Sequence, residues 1–153
     1  MIVSQVSEKL LGKTSKQVYN WITNMDQEKY LKWHPDHTTY QIKNSSNGEY
    51  LGSVVKYEQI VDDKSFWWKV ISCTENQILY RASFIYPIYL ELSLEDFSDH
   101  VLVTQKIMLG LEFPGISQVI DWLVRKVLFT YDTEEKLTEH TKQEFKNLER
   151  MLT

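Results

Sequence analysis

The sequence predicts an α+β fold in which helices pack on one face of a single antiparallel sheet. Through the central part of the chain, 40–109, apolar and polar residues alternate in short runs separated by polar segments. Before and after this part, over 15–33 and again from 116 onward, the apolar residues have helical spacing. Because short turns join strands that run antiparallel, these patterns favour an antiparallel sheet with its helices gathered on one side.

The first predicted elements are a strand and two short helices. Alternation over 2–10 indicates the strand, and Thr14 or Ser15 is placed to cap a helix over 15–25. A second helix is expected over 26–33. It ends before Pro35, because the residue preceding a proline is pushed out of the helical conformation.

Six more strands are predicted, at 40–43, 53–61, 66–72, 77–85, 88–95 and 101–109. The segments 44–48, 62–64 and 74–76 between them are rich in turn-forming residues. The clearest strand is the fifth of the six, in which every second residue is apolar: Ile88, Leu90, Leu92 and Leu94. The sheet should therefore contain about seven strands.

Helical spacing returns after Pro114 and Gly115. One apolar stripe is predicted on the first segment, made of Ile116, Val119, Ile120, Leu123, Val127 and Leu128. We interpret this segment as a lid or a further buried helix over a cavity entrance, with a membrane-surface or partner helix as the alternative. A second, more polar helix is expected over about 133–152, with one apolar face: Leu137, Thr141, Phe145, Leu148 and Leu152.

Length and composition fit one domain spanning 1–153. The chain is 42% hydrophobic and 25% charged and has one cysteine, so we expect a core without disulfides in a reducing, cytoplasmic setting. No apolar run reaches the roughly 18 residues of a membrane span, and the first residues lack a signal-peptide pattern. The net charge of −4 argues against nucleic-acid binding. Neither a nucleic acid nor a membrane is expected as a partner.

Aromatic residues form 13% of the chain, which is enough to fill a core or to line a cavity. For each of them individually, ordinary core packing is the simpler interpretation. The candidates for a cavity wall are Trp67, Trp68, Tyr80, Phe84, Tyr86, Tyr89 and Trp122.

The last helix places two polar residues among its apolar ones. His140 and Glu144 are four residues apart, so their side chains project together on the inward side. A carboxylate in that position is costly unless it is paired or bound to a metal. Two interpretations follow: a hydrogen bond between the two side chains at the helix edge, or a pair of ligands for one metal ion.

Further ligands for such an ion are few. His34 and His37 lie in the segment Trp-His-Pro-Asp-His at 33–37, and His100 lies in a predicted turn where a solvated ring is expected. Glu58 shares a strand face with apolar residues, although Lys56 on that face is a suitable partner for it.

The order of elements resembles the helix-grip fold of START lipid-binding domains, pollen-allergen proteins and polyketide cyclases. In that fold a curved antiparallel sheet wraps around a long C-terminal helix, and two short helices follow the first strand. The resemblance covers nearly the whole chain and includes the Trp-His-Pro corner at 33–35. It implies an apolar cavity between the sheet and the last helix.

A narrower resemblance is to the diacetylphloroglucinol hydrolase family. It is carried by the corner 33–37, by Glu58 on a strand, and by the His-x-x-x-Glu pattern at 140–144 followed by Asn-Leu-Glu. Members bind zinc through two histidines and two glutamates and hydrolyse a carbon–carbon bond beside an aryl ketone. The resemblance implies as ligands His37, with His34 as the alternative, together with Glu58, His140 and Glu144. Two histidines and two carboxylates would suit zinc, with manganese or iron(II) as alternatives.

The resemblance further implies a small aromatic or apolar ketone, of the acylphloroglucinol or β-diketone type, as the substrate, and a homodimer. Tyr40 and Tyr57 are candidate proton donors because both lie near the predicted ligands in sequence. The main alternative is a helix-grip module that binds an apolar or aromatic ligand without metal or catalysis. A metal-free cyclase-like enzyme is a third interpretation, although no acid–base pair in the sequence favours it.

Overall fold

A computed structural model describes residues 1–60, 66–82, 84–110 and 116–152. The strands are β1 (Ile2–Leu11), β2 (His37–Lys43), β3 (Val54–Gln59), β4 (Trp67–Thr74), β5 (Gln77–Ala82), β6 (Ile88–Asp96) and β7 (His100–Leu109). The helices are α1 (Ser15–Thr23), α2 (Gln27–Trp33), α3 (Ile116–Leu128) and α4 (Tyr131–Met151).

The seven strands form one antiparallel sheet in the order β1-β7-β6-β5-β4-β3-β2. The sequence neighbours β1 and β2 therefore lie at opposite edges, and α1 and α2 carry the chain from one edge to the other. The sheet curls around α4. The inward face of this helix is buried and consists of Leu137, His140, Thr141, Glu144, Phe145 and Leu148. The predicted α+β architecture and antiparallel sheet are confirmed.

Local chemistry explains where the first two helices begin. Thr14 forms a capping box with Gln17 at the start of α1. The Asp26 carboxylate accepts a hydrogen bond of 2.8 Å from the Lys29 N–H, which caps α2. Between the two helices Met25 is 6% exposed, so the short link is held by burial as well as by caps.

Helix α3 differs from the single apolar stripe that its sequence suggests. Its inward side consists of Ile120, Val124 and Leu128, which pack on a core cluster at one end of the sheet. Val119 and Val127 are 60% and 70% exposed, so part of the predicted stripe faces solvent. The predicted stripe is therefore wider than the face that packs on the core cluster.

Several expectations fall outside the described residues: the turn at 62–64, the Pro114-Gly115 break and the side chain of Ile116. Within the described parts of the chain, no helix has the length and apolar content needed to cross a bilayer.

Candidate metal centre and adjoining cavity

A tight corner brings the segment 33–37 against α4. Helix α2 ends at Trp33, and the His37 N–H donates to the His34 carbonyl at 3.1 Å, closing a turn around Pro35. Two hydrogen bonds hold this corner to α4: Trp33 Nε1 donates to the Glu144 carbonyl at 2.8 Å, and Asn147 Nδ2 donates to the Trp33 carbonyl at 2.9 Å. The corner histidines are therefore fixed beside the inward face of the last helix.

Three histidines and one glutamate meet at this place. His37 Nε2 lies 2.6 Å from Glu144 Oε1, and His140 Nε2 lies 3.1 Å from the same oxygen. One nitrogen each from His34, His37 and His140 lie within 4.8 Å of one another. All four residues are buried. The structure thus brings together His34, His37, His140 and Glu144 from the predicted set.

The hydrogen bonds of the rings distinguish the two corner histidines. His34 Nδ1 accepts from the Asp36 N–H at 3.0 Å, and its Nε2 donates to Gln143 Oε1 at 3.0 Å, so both of its nitrogens are engaged. His37 Nδ1 is 2.7 Å from the Tyr30 carbonyl, which can only accept, so this nitrogen carries a proton. His37 is therefore the corner histidine whose Nε2 is directed at the carboxylate.

The contact between His37 Nε2 and Glu144 requires a proton or a shared metal ion. With Nδ1 protonated, a neutral His37 ring would direct the lone pair of Nε2 at a carboxylate oxygen 2.6 Å away, which is repulsive. A proton held between the two groups accounts for this distance, and a metal ion bound by both groups would remove the same repulsion. Metal-bound histidines commonly donate their other N–H to a backbone carbonyl, as His37 does to Tyr30.

The electrostatics of the cluster favour an ionised Glu144 carboxylate. Burial raises the pKa of the Glu144 carboxyl, but hydrogen bonds from His140 and His37 outweigh burial and hold it below its ordinary value. Burial is also the main reason why the pKa of His34 lies below its usual range. His140 Nδ1 is buried and has no hydrogen-bond partner among the described residues, with Asp36 Oδ2 3.8 Å away.

The structure does not bring Glu58 into the cluster. Its carboxylate lies 2.8 Å from Lys56 Nζ, while the adjacent residues Tyr57 and Gln59 face the cavity. Because side chains alternate along a strand, Glu58 is on the outer face of β3. The prediction that it is a ligand is not met by this geometry, and the pairing with Lys56 is the observed arrangement.

We expect Glu58→Gln to leave any metal binding by the histidine cluster unchanged, because the Glu58 carboxylate is paired with Lys56 on the outer face of the sheet. The measurement is the metal content of the purified variant by plasma mass spectrometry, beside wild type and His140→Ala. A metal content for Glu58→Gln as low as that of His140→Ala would show that Glu58 turns inward when the ion is bound.

An internal cavity adjoins the cluster between the sheet and α4. Its volume is about 140 Å³, and Glu144 contributes to its wall. A cavity of roughly 150 Å³ is large enough for benzene, so the space suits a ligand of about one ring. Most of the wall is apolar, with a few polar groups from Ser4, Gln59, Gln105, Thr141 and three tyrosines.

Only some of the aromatic residues predicted to form this wall lie on it. Trp68 and Tyr80 line the cavity, whereas Trp122 and Phe84 are 50% and 44% exposed. Of the two candidate proton donors, Tyr57 lines the cavity. The Tyr40 hydroxyl is buried behind that wall and has no hydrogen-bond partner among the described residues.

Sequence reasoning missed three participants. The Tyr30 carbonyl orients His37, Asp36 lies beside His140, and Gln143 engages His34. Gln143 precedes Glu144 on the helix, and its polar side chain gives no sign of a role. Of the three, only Asp36 could have been recognised from the sequence, because its carboxylate lies between Pro35 and His37 in the predicted corner.

Comparison with known proteins shows relatives in structure but not in sequence. No protein-family model matches the chain, and no curated protein has significant sequence similarity to it. The KanY protein, determined by NMR in solution, superimposes with a TM-score of 0.69 at 10% identity over 99% of this chain and 96% of its own.

Two further solved structures have the same fold. A major latex-like protein from Panax ginseng has a TM-score of 0.64 at 10% identity, with 97% of each chain covered. A START superfamily protein from Mycobacterium smegmatis has a TM-score of 0.57 at 18% identity, covering 96% of this chain and 98% of its own. With its curled seven-stranded sheet and long last helix, the chain has the helix-grip fold of START-like proteins.

Proposed function

We propose that the protein is a metal-dependent hydrolase, with zinc as the expected ion, that cleaves a carbon–carbon bond beside a ketone of a small aromatic or β-diketone substrate. The observation that carries the proposal is the convergence of buried ligand atoms: His37 Nε2 and His140 Nε2 lie 2.6 Å and 3.1 Å from Glu144 Oε1, and one nitrogen from each of three histidines lies within 4.8 Å of the others. The diacetylphloroglucinol hydrolase-like pattern at 140–144 supports the same proposal.

The residues that would hold the ion are His37, His140 and Glu144. Two imidazoles and one carboxylate match the three-ligand zinc sites of hydrolases, which keep a further position open for water or substrate. A bound zinc ion supplies a Lewis acid that polarises a carbonyl and lowers the pKa of a water molecule. The Tyr30 carbonyl orients His37, and Asp36 is placed to do the same for His140 Nδ1.

The proposed reaction consumes one water molecule. Its oxygen forms a bond to the carbonyl carbon, and the bond between that carbon and the adjacent carbon breaks. The electron pair of the broken bond stays on the departing carbon, which takes up a proton, so the products are a carboxylic acid and the shortened ketone or arene. Tyr57, whose side chain lines the cavity, is the candidate donor of that proton.

Metal analysis tests the first half of the proposal. Protein purified without a histidine tag should contain about one zinc, manganese or iron ion per chain, and the double variant His140→Ala/Glu144→Ala should contain none. A wild-type protein that lacks metal and whose thermal unfolding is unaffected by a chelator would contradict the metal site.

Substrate assays test the second half. The metal-loaded protein should release acetate from acetylphloroglucinol-type compounds or from acetylacetone-type β-diketones, and the double variant should not. If metal is bound but none of these compounds is cleaved, the metal site stands and the reaction class is wrong.

A second candidate function is non-enzymatic binding of a one-ring ligand. The observation that favours it is the mainly apolar cavity between the sheet and α4, which would be complete without a metal. In that case protons hold the His37–Glu144–His140 contacts, and the cluster only ties the corner to α4. A metal-free wild-type protein that binds small aromatic ketones without turnover would establish this function.

A further inference from the structure

Three tyrosine hydroxyls meet at the cavity, away from the histidine cluster. Tyr50 precedes β3, Tyr57 lies on β3 and Tyr80 on β5. The Tyr50 hydroxyl lies 2.8 Å from that of Tyr80 and 3.3 Å from that of Tyr57. Tyr57 and Tyr80 both line the cavity, and their rings meet edge to face with centroids 6.3 Å apart.

The protons of this hydroxyl cluster can be counted. Three hydroxyls carry three protons, and the two contacts made by Tyr50 use two of them. When Tyr50 donates in one of its two contacts, the third proton lies on Tyr57 or Tyr80, which also interact with each other and whose side chains face the cavity. An oxygen of a ligand in the cavity could accept it without breaking either contact of Tyr50.

We propose that the hydroxyls of Tyr57 and Tyr80, linked through Tyr50, form a binding subsite for a carbonyl or phenolic oxygen on a one-ring ligand. The apolar wall would hold the ring, and the hydroxyl cluster would set its orientation by donating one hydrogen bond. This is the usual division of labour in small-molecule sites, where a few polar groups in an apolar pocket give specificity.

The electrostatics of the cavity narrow the ligand class. Burial raises the pKa of the Tyr50, Tyr57 and Tyr80 hydroxyls, so they stay protonated and act as donors at neutral pH. Among the described residues, the cavity wall includes Glu144 but no lysine or arginine, so a ligand bearing its own carboxylate would find no cationic partner there. A neutral ketone or phenol is therefore favoured over an aromatic acid.

The subsite does not depend on the proposed metal centre. It requires only the cavity and the hydroxyl cluster, and it would serve a binding module as well as an enzyme. Its test can therefore be made on chelator-treated protein, so that no ion competes for the same oxygen.

The probes are acetophenone and α-methylstyrene, which have the same shape but carry oxygen and CH2, respectively, at the same position. Binding is followed by the fluorescence of Trp33 and Trp68, which line the cavity. We expect Tyr57→Phe/Tyr80→Phe to weaken acetophenone binding about fivefold, the effect of one net hydrogen bond, and to leave α-methylstyrene binding unchanged. Each single variant should lose less, because the remaining hydroxyl can supply the proton.

Tyr86→Phe is the matched control, since its buried hydroxyl does not belong to the cavity wall. It should alter the binding of neither probe. As a second measurement on wild-type protein, the infrared band of carbon-13-labelled acetophenone should shift to lower frequency on binding. An unshifted carbonyl band, or equal losses for both probes in the double variant, would overturn the proposal.

Discussion

Glu144→Gln is expected to destabilise the metal-free protein by about 3 kcal/mol or more and, under the proposed function, to abolish metal binding. One oxygen of Glu144 contacts both His37 and His140 in a buried site, and a neutral amide cannot replace a carboxylate that accepts from both rings. The measurements are the metal content of the purified variant and its urea unfolding beside chelator-treated wild type. Loss of the metal should be accompanied by loss of any hydrolytic activity.

The matched control is Glu139→Gln on the same helix. The side chain of Glu139 is 71% exposed, so its replacement should change stability by less than about 0.5 kcal/mol and leave the metal in place. If the two variants behaved alike, the buried carboxylate would have no special role.

Acid should remove the difference between wild type and Glu144→Gln. The pKa of Glu144 is lower in the folded protein than its ordinary value of 4.5, so the carboxylate stabilises the fold fully above that pH. The stabilisation is lost as the pH falls through the depressed folded-state pKa. Unfolding free energies of the two metal-free proteins should therefore converge at low pH, and a constant gap would contradict this assignment.

Phe145→Ala is expected to cost about 3–5 kcal/mol of unfolding free energy, a large part of the total for a domain of this size. Phe145 is 2% exposed and packs in the main core, where it also forms part of the cavity wall. Deleting the ring removes its apolar burial and enlarges the adjoining cavity, which the surrounding strands cannot close. Urea denaturation of the chelator-treated protein gives the measurement.

Phe97→Ala serves as the comparison for that experiment. Phe97 is 48% exposed in the turn before β7 and stacks on His100, so its loss should cost far less than that of Phe145. If both variants lost the same unfolding free energy, the buried inward face of α4 would contribute no more to stability than an exposed turn.

The predictable part of the site lies within one element. His140 and Glu144 could be placed inward because one helical period relates them to the buried Leu137 and Leu148. His37 was harder to assign, since its role depends on a turn and on the Tyr30 carbonyl seven residues earlier. Periodicity describes faces of one element and does not specify contacts between elements.

Glu58 shows a second limit of prediction from sequence, which concerns the two faces of a strand. Alternation correctly grouped it with Lys56, but alternation does not tell which of the two faces of a strand points inward. The inner face of β3 is the one that carries Val55 and Tyr57. The hydroxyl cluster was also beyond prediction, because Tyr50, Tyr57 and Tyr80 are brought together only by the pairing of strands.

The hydrogen bond from Trp33 to the Glu144 carbonyl joins residues 111 positions apart. During synthesis the corner with His34 and His37 is made early, but its partners on α4 do not exist until residue 144 has been added. The emerging chain therefore carries these imidazoles without their buried carboxylate, and the complete ligand set arises only when the last helix docks. Metal capture would then report that the sheet has closed around α4, which ties loading of the ion to completion of folding.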